Sequence, residues 1–329
     1  MAKIVRFHET GEADVLKVEE LPVESPKEGE VRLRVEAIGL NRAEIMFRRG
    51  EYLEPPELPS RIGYEAAGVV DAVGPGVTDV SVGDQVSTVP SFPIGKYGVY
   101  GESAVVPAYA VARYPENLSP VEGAAIWMQY ITAYGALIEL GGISKSDAVL
   151  IPAASSSVGL AAIQLARAKD ATAVALTRGS DKKAFLLEQG AHHVIVTGEE
   201  DLVQRTLDIT DGKGSRIIFD PVAGPGLEKL AEAAADGAII FLYGVLDSRP
   251  TPFPLFPALM KGLTIRGYTL FEIVRDPEKF ARGRGYVYDG LKSGLLKPVI
   301  DRVFKLDEIA DAHRHMESNR QMGKIVVTT

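Results

Sequence analysis

The chain has 329 residues, 46% hydrophobic and 24% charged, a composition that suits a globular protein large enough for two cores. Its 36 basic and 44 acidic residues leave a formal charge of −8, which argues against nucleic acid as a partner. There is no cysteine, hence no disulfide, thiolate nucleophile or thiolate metal site; no apolar run approaches the roughly 18 residues of a membrane span, residues 1–8 lack a signal-peptide core, and a cytoplasmic protein without a membrane partner is expected.

From residue 1 to about 120 the chain carries short alternating apolar segments, such as 3–7, 31–37 and 66–73. They are punctuated by turns at Pro26-Lys-Glu-Gly29, Gly74-Pro-Gly76 and Val82-Gly-Asp84. This spacing predicts an irregular β domain or barrel. The pattern then changes. Residues 120–139 read as a helix with Ser119 as N-cap and Pro120 in its first turn. Strands are predicted at 148–152, 171–177, 193–196, 216–220, 238–243 and 263–268. Helices fall between the first five of these, at 157–169, 181–189, 202–210 and 225–235. Several of the strands are near-continuous apolar runs, as in a parallel sheet covered on both faces. Two helices follow, at 277–293 and 306–319. A last strand, 324–328, has no helix after it and is expected to rejoin the first domain. The fold class is α/β: a doubly wound parallel sheet plus an irregular β-barrel-like domain. The boundaries are 1–120, 121–268 and a return to the first domain over 269–329.

The turn after the 148–152 strand carries the chemistry. Val149-Leu-Ile-Pro-Ala-Ala-Ser-Ser-Ser-Val-Gly159 leads into an Ala-rich helix. Small side chains there let backbone approach a pyrophosphate, and free N–H groups at the helix start hold its charge. The glycines of G-x-G-x-x-G are mostly absent, so context carries this reading; plain packing of a tight turn is the alternative. An NAD site usually ends its second strand on a carboxylate. Here that strand ends Thr177-Arg-Gly-Ser-Asp-Lys-Lys183. Thr177, Arg178, Ser180 and Lys183, with help from Lys182, suit a 2′-phosphate. Asp181 competes, and a solvated helix start is the bland reading. NADPH is therefore the expected cofactor. The candidate contacts are Ala154, Ser155, Ser156, Ser157 and Val158 in the turn, Thr177, Arg178 and Lys183 beyond the second strand, and Tyr243 with Gly244 after the 238–243 strand.

Several motifs, in order, resemble the zinc-independent medium-chain dehydrogenase/reductases of the quinone oxidoreductase (zeta-crystallin-like) type. They are Ala37-Ile-Gly-Leu-Asn-Arg-Ala-Glu44, Arg48-Arg-Gly-Glu-Tyr52, Gly63-Tyr-Glu-Ala-Ala-Gly-Val-Val70, Val82-Gly-Asp-Gln-Val86, Ile131-Thr-Ala-Tyr134, 149–164, Phe219-Asp220 and Met322-Gly-Lys-Ile-Val326. The family turn usually reads Gly-Ala-Ala-Gly-Gly-Val-Gly, so Ala153, Ser156 and Ser157 stand where glycines are expected. The resemblance implies a GroES-like catalytic domain, a Rossmann domain and a homodimer paired through the edge strand near 263–267. It puts a nicotinamide in the cleft between the domains, near Asn41, Tyr52, Tyr64 and Thr132.

Zinc relatives carry Cys where Asn41 stands and His where Tyr64 stands. Neither replacement is a good zinc ligand, and no metal is expected. Asp311, His313 and His315 form a weaker metal alternative, because i and i+2 on a helix face apart. Without a metal, Asn41 and Tyr52 are the candidate hydrogen-bond donors to a developing oxyanion. Asn41 also fits a simple turn and Tyr52 an apolar cap; Tyr64 is expected to line the pocket. Glu65 and Lys324 read as structural braces. Phe92 and Tyr97 are candidates for shaping the pocket, and so are Phe253, Phe256 and Phe271, which equally suit a core or a subunit interface. The leading expectation is an NADPH-dependent reductase of a small-molecule quinone or activated alkenone. A 2-enoyl thioester reductase and a non-catalytic NADPH-binding sensor or structural protein are the alternatives, and a zinc alcohol dehydrogenase is a distant fourth.

Overall fold

In the computed structural model, which describes residues 1–329, the chain divides into two units: Met1–Met128 with Pro298–Thr329, and Gln129–Lys297. The first unit holds the strands β1 (Ala2–Phe7), β2 (Lys17–Leu21), β3 (Glu30–Gly39), β4 (Ser60–Arg61), β5 (Glu65–Val73), β6 (Gln85–Thr88), β7 (Ser103–Pro107) and β8 (Val111–Arg113). β1 is the centre of a small sheet, order β2-β1-β4. β3 organises the larger one. It pairs antiparallel with β5 along one edge, while its first half takes β7 on the other. Its alternation buries Val31, Leu33, Val35 and Ala37, the period-2 pattern of a half-buried strand.

The second unit is a six-stranded parallel sheet. Its strands are β9 (Ala148–Ile151), β10 (Thr172–Thr177), β11 (His193–Val196), β12 (Ser215–Asp220), β13 (Ala234–Leu242) and β14 (Thr264–Gly267). Their order, β11-β10-β9-β12-β13-β14, is the doubly wound 3-2-1-4-5-6 arrangement. All four residues of β9 are buried, as a central strand covered on both faces requires. The core beneath one face includes Leu150, Val174, Ile195, Ile218, Leu227 and Ile240.

The chain then supplies β15 (Ile300–Lys305) and β16 (Lys324–Thr328) to the first unit, where β16 pairs antiparallel with β3. The last strand thus rejoins the first sheet. β15, parallel to β16, was not legible as a strand. The expected return at residue 269 falls later, because the helix Pro277–Ser293 stays with the second unit. Tyr286 packs on Tyr134 at 5.5 Å between ring centroids, and Arg282 pairs with Glu139. The helix expected over 120–139 is broken into Pro120–Gly123, Trp127–Tyr134 and a wider-pitched turn at Gly135–Leu140. In the first turn of Trp127–Tyr134 the N–H of Met128 donates to the Glu65 carboxylate at 2.8 Å, a long-range contact that satisfies a helix-start donor. No helix is long and apolar enough to cross a membrane.

Candidate active site

In the second unit, β9 runs through a tight turn into the helix Ser157–Ala168. Ala153 takes a φ of 49°, the left-handed conformation for which glycine is the low-cost choice. Ser156 has become the N-cap, its Oγ accepting the Gly159 N–H at 3.0 Å. Gly159 itself is required, since a Cβ there would meet the Ala154 carbonyl oxygen at 2.6 Å. The turn keeps the small, close-approach backbone that a pyrophosphate needs. Ser156 alone caps the helix, which begins at Ser157.

The tip of β10 bends over the same turn. Lys182 donates from Nζ to Ser155 Oγ at 3.1 Å. Lys183, named ahead of it from sequence, instead lies 3.8 Å from Glu200. Glu200 also accepts the Val196 N–H and pairs with Arg205, and these donors hold its carboxyl below its ordinary range. Arg178 is exposed, and its carbonyl accepts the Gly198 N–H. Thr177 Oγ1 donates to the Gly179 carbonyl at 3.2 Å. Across the sheet, Asp220 ends β12 and caps its own loop, accepting the N–H groups of Val222 and Ala223 at 2.7 and 3.1 Å; burial nevertheless raises its carboxyl. Tyr243 stacks on Phe219 at 4.0 Å, and a Cβ on Gly244 would sit 2.8 Å from the Pro221 carbonyl oxygen. Thr132 is buried. With its close-approach backbone at the strand-to-helix turn, this end of the sheet has the form of a dinucleotide site, and Arg178 is exposed and the Lys182 ammonium bonded to Ser155 beside it.

In the first unit, Asn41 opens the helix Arg42–Arg49 as N-cap, and Glu44 reaches back to its N–H at 2.6 Å. The Asn41 Nδ2 donates to the Gly39 carbonyl and to Glu44 at 3.3 and 3.2 Å. Its Oδ1 accepts the Lys324 ammonium at 2.6 Å. Lys324 is fully buried and also pairs with Glu65 through a short hydrogen bond. Both Asn41 amide hydrogens therefore have protein acceptors. The ammonium stands against the residue that replaces the zinc relatives' cysteine. Burial pushes the Glu44 carboxyl up to about 7, with Lys324 and its hydrogen-bond donors opposing.

Tyr52 and Tyr64 meet edge-on, centroids 6.3 Å apart, with their phenols hydrogen-bonded. Tyr64 is 1% exposed and continues inward to Phe92 at 5.7 Å, which touches Tyr97 at 6.1 Å. Burial raises both phenols, Tyr52 to about 12 and Tyr64 further. Tyr64 thus supports Tyr52 from beneath. The roles of Glu44 and Lys324 were not read from sequence as site chemistry. Glu44 carried a signal in the Asn-x-x-Glu capping-box spacing; Lys324 stood in the Met322–Val326 motif as a brace, with nothing in the sequence to show its reach to Asn41. Asp311, His313 and His315 do not converge: Asp311 pairs with Arg314, His315 with Asp301, and His313 packs its ring on Tyr100.

A small-residue elbow at the head of a 3-2-1-4-5-6 parallel sheet defines a dinucleotide-binding architecture. Comparison with known proteins extends this. Residues 27–116 match the alcohol dehydrogenase GroES-like domain, and residues 157–282 the family described as zinc-binding dehydrogenase. Human quinone oxidoreductase is 32% identical over 99% of this chain and 98% of its own length. A 2-haloacrylate reductase from Burkholderia sp is 30% identical over 99% and 98%. The crystal structure of Escherichia coli quinone oxidoreductase complexed with NADPH superposes with a TM-score of 0.92 at 29% identity, covering all of both chains. The chain belongs to the medium-chain dehydrogenase/reductase family of oxidoreductases, quinone oxidoreductase type.

Proposed function

We propose that this chain is a zinc-independent, NADPH-dependent reductase of quinones or activated alkenones. The observation that carries the reading is the pairing of the pyrophosphate-type turn with a cationic edge, Lys182 on Ser155 and Arg178 exposed beside it. The turn residues Ala154 to Val158, with Thr132, Thr177, Arg178, Lys182, Lys183, Tyr243 and Gly244, would hold NADPH. When bound, the reduced nicotinamide supplies the hydride. The protein's share is orientation, exclusion of water and a donor for the developing oxyanion. Tyr52 is that donor: its phenol stays protonated well above neutral pH, and Tyr64 anchors its ring. Asn41, whose amide hydrogens are engaged, holds the floor of the site with Lys324 and Glu44. Zinc does not suit this donor set, which has no cysteine and offers a phenol and an amide already bound to an ammonium.

The test is a fluorescence titration with NADPH and NADH, followed by addition of 9,10-phenanthrenequinone to the NADPH complex. Tighter NADPH binding with rapid oxidation of the cofactor is expected. Arg178→Ala should weaken NADPH by about tenfold while changing NADH little, because a forked cation–phosphate contact is worth roughly 1.5–3 kcal/mol. An unchanged preference removes Arg178 from the account.

A homodimer completes the reading. β14 is an edge strand, and the neighbouring helix Leu255–Lys261 exposes Leu255, Phe256, Leu259 and Met260, with Phe253 just before it. A second copy laid along this edge would pair the strand and cover the patch. Sedimentation velocity is expected to give twice the chain mass, and Phe256→Glu with Met260→Glu to give the monomer. A wild-type monomer at micromolar concentration would remove the dimer.

A further inference from the structure

The segment that carries Tyr52 reads Glu51-Tyr-Leu-Glu-Pro-Pro-Glu57, three carboxylates in seven residues with no basic residue until Arg61. The middle one is fixed. Glu54 is half-buried, and its Oε1 accepts the N–H groups of Ile94 and Gly95 at 2.7 and 3.4 Å, the first turn of the short helix Ile94–Tyr97. The carboxylate therefore occupies backbone donors that would otherwise be open to an anion. Its charge is felt at both phenols, since Glu54 and Glu44 each oppose ionisation of Tyr52 and of Tyr64. Lys96 lies at the far end of the aromatic run, over the Tyr97 ring at 4.7 Å, and the Tyr97 phenol is tied to Glu30. Tyr52 thus stands beside an aromatic run and within the field of two carboxylates, Glu54 and Glu44.

We propose that Glu54 is a specificity residue that keeps anionic electron acceptors away from Tyr52, so that the chain reduces uncharged quinones and enones and rejects those bearing a carboxylate or sulfonate. The proposal rests on the reading that Tyr52 faces the acceptor. Its physical basis is that a fixed carboxylate in a partly desolvated wall raises the energy of a like charge brought beside it. A neutral ring stacks on the same wall without that cost.

The experiment compares 1,2-naphthoquinone with 1,2-naphthoquinone-4-sulfonate as acceptors at saturating NADPH, in the wild-type protein and in Glu54→Gln. Glutamine keeps an oxygen for the Ile94 N–H. The ratio of kcat/KM for the sulfonate to that for the parent removes any general loss of activity, and its change from wild type to variant removes the difference in intrinsic reactivity between the two quinones. It is expected to rise about tenfold in Glu54→Gln, the effect of one like charge several ångströms away at intermediate dielectric. In the wild type the same ratio should rise as salt is raised from 20 to 500 mM, through screening. This second readout serves if the variant does not fold. A ratio that stays put in folded Glu54→Gln, or that is insensitive to salt in the wild type, overturns the proposal. Failure to oxidise NADPH with either quinone overturns the reductase reading itself, and is distinguished by being independent of the acceptor's charge.

Discussion

Replacing Lys324 with methionine is expected to cost about 3–5 kcal/mol of unfolding free energy, the range for removing one partner of a buried ion pair. Lys324 is 1% exposed, Glu65 1% and Glu44 fully buried. The ammonium is bonded to Glu65 and Asn41, and its charge opposes the upward push of burial on Glu44. Methionine has nearly the same volume, so the loss would come from two uncompensated carboxylates and not from a cavity. The charge origin has a signature. Protonating the stranded acids relieves the penalty, so the difference between wild type and Lys324→Met should shrink on going from pH 8 to pH 5 in urea unfolding experiments. Adding Glu65→Gln to Lys324→Met should recover part of the loss. A destabilisation that is the same at every pH would mean that Lys324 acts only by filling space.

A second large effect concerns acid. His313 lies on the helix Ile309–Glu317 with 1% exposure, edge-on to Tyr100 at 5.8 Å, and neither ring nitrogen has a hydrogen-bond partner in the protein. Burial first, and the Arg48 guanidinium second, push its imidazole down to about 3 from 6.5. The unfolded chain therefore binds a proton at His313 that the folded chain refuses. Stability from this group is present above about pH 6.5 and is lost as pH falls toward 3, by about 2 kcal/mol between pH 7 and 5. Glu44 acts in the opposite sense. Its folded value of about 7 lies above the ordinary 4.5, so the folded state takes up the proton first, and stability rises by about 2 kcal/mol as pH falls from 7 to 5. In the wild type these two contributions cancel over that window, and below about pH 4.5 the His313 term alone continues. His313→Leu should unmask Glu44: relative to wild type the variant gains about 2 kcal/mol between pH 7 and 5. Urea unfolding at pH 7, 6 and 5 reads this directly. A difference between the two proteins that does not change with pH would mean that His313 titrates normally in the folded state.

Both groups show where reading a sequence stops. Glu44 sits at capping-box spacing from Asn41, so its reach back to the Asn41 N–H is a local matter, three residues apart. That it is buried, and therefore titrates near neutrality, depends on Tyr64 and Lys324, which come from 20 and 280 residues further along the chain. The adjacent lysines at 182 and 183 make the same point at short range. Composition marks the tip of β10 as basic, but the phase of the single turn Ser180–Lys182 decides which ammonium meets Ser155 and which meets Glu200. The strand Ile300–Lys305 went unread because half of its residues are polar, and its place comes from a partner, β16, that lies more than twenty residues away.

The sequence by itself determined the parallel β-α alternation and the last strand's return, since these follow from hydrophobic periodicity and from small residues at one strand-to-helix turn. It also determined that the usual zinc ligands are missing, because side-chain identity alone decides that. Only the tertiary structure decided what stands among the remaining residues. The Lys324 ammonium is bonded to Asn41 and Glu65 across 283 and 259 residues of chain, Tyr64 lies beneath Tyr52, and Glu54 caps the turn at Ile94. Each depends on a long-range contact made by a single side chain. A contact of that kind leaves no periodic trace in the sequence, and its energy comes from burial that exists only once the chain has folded.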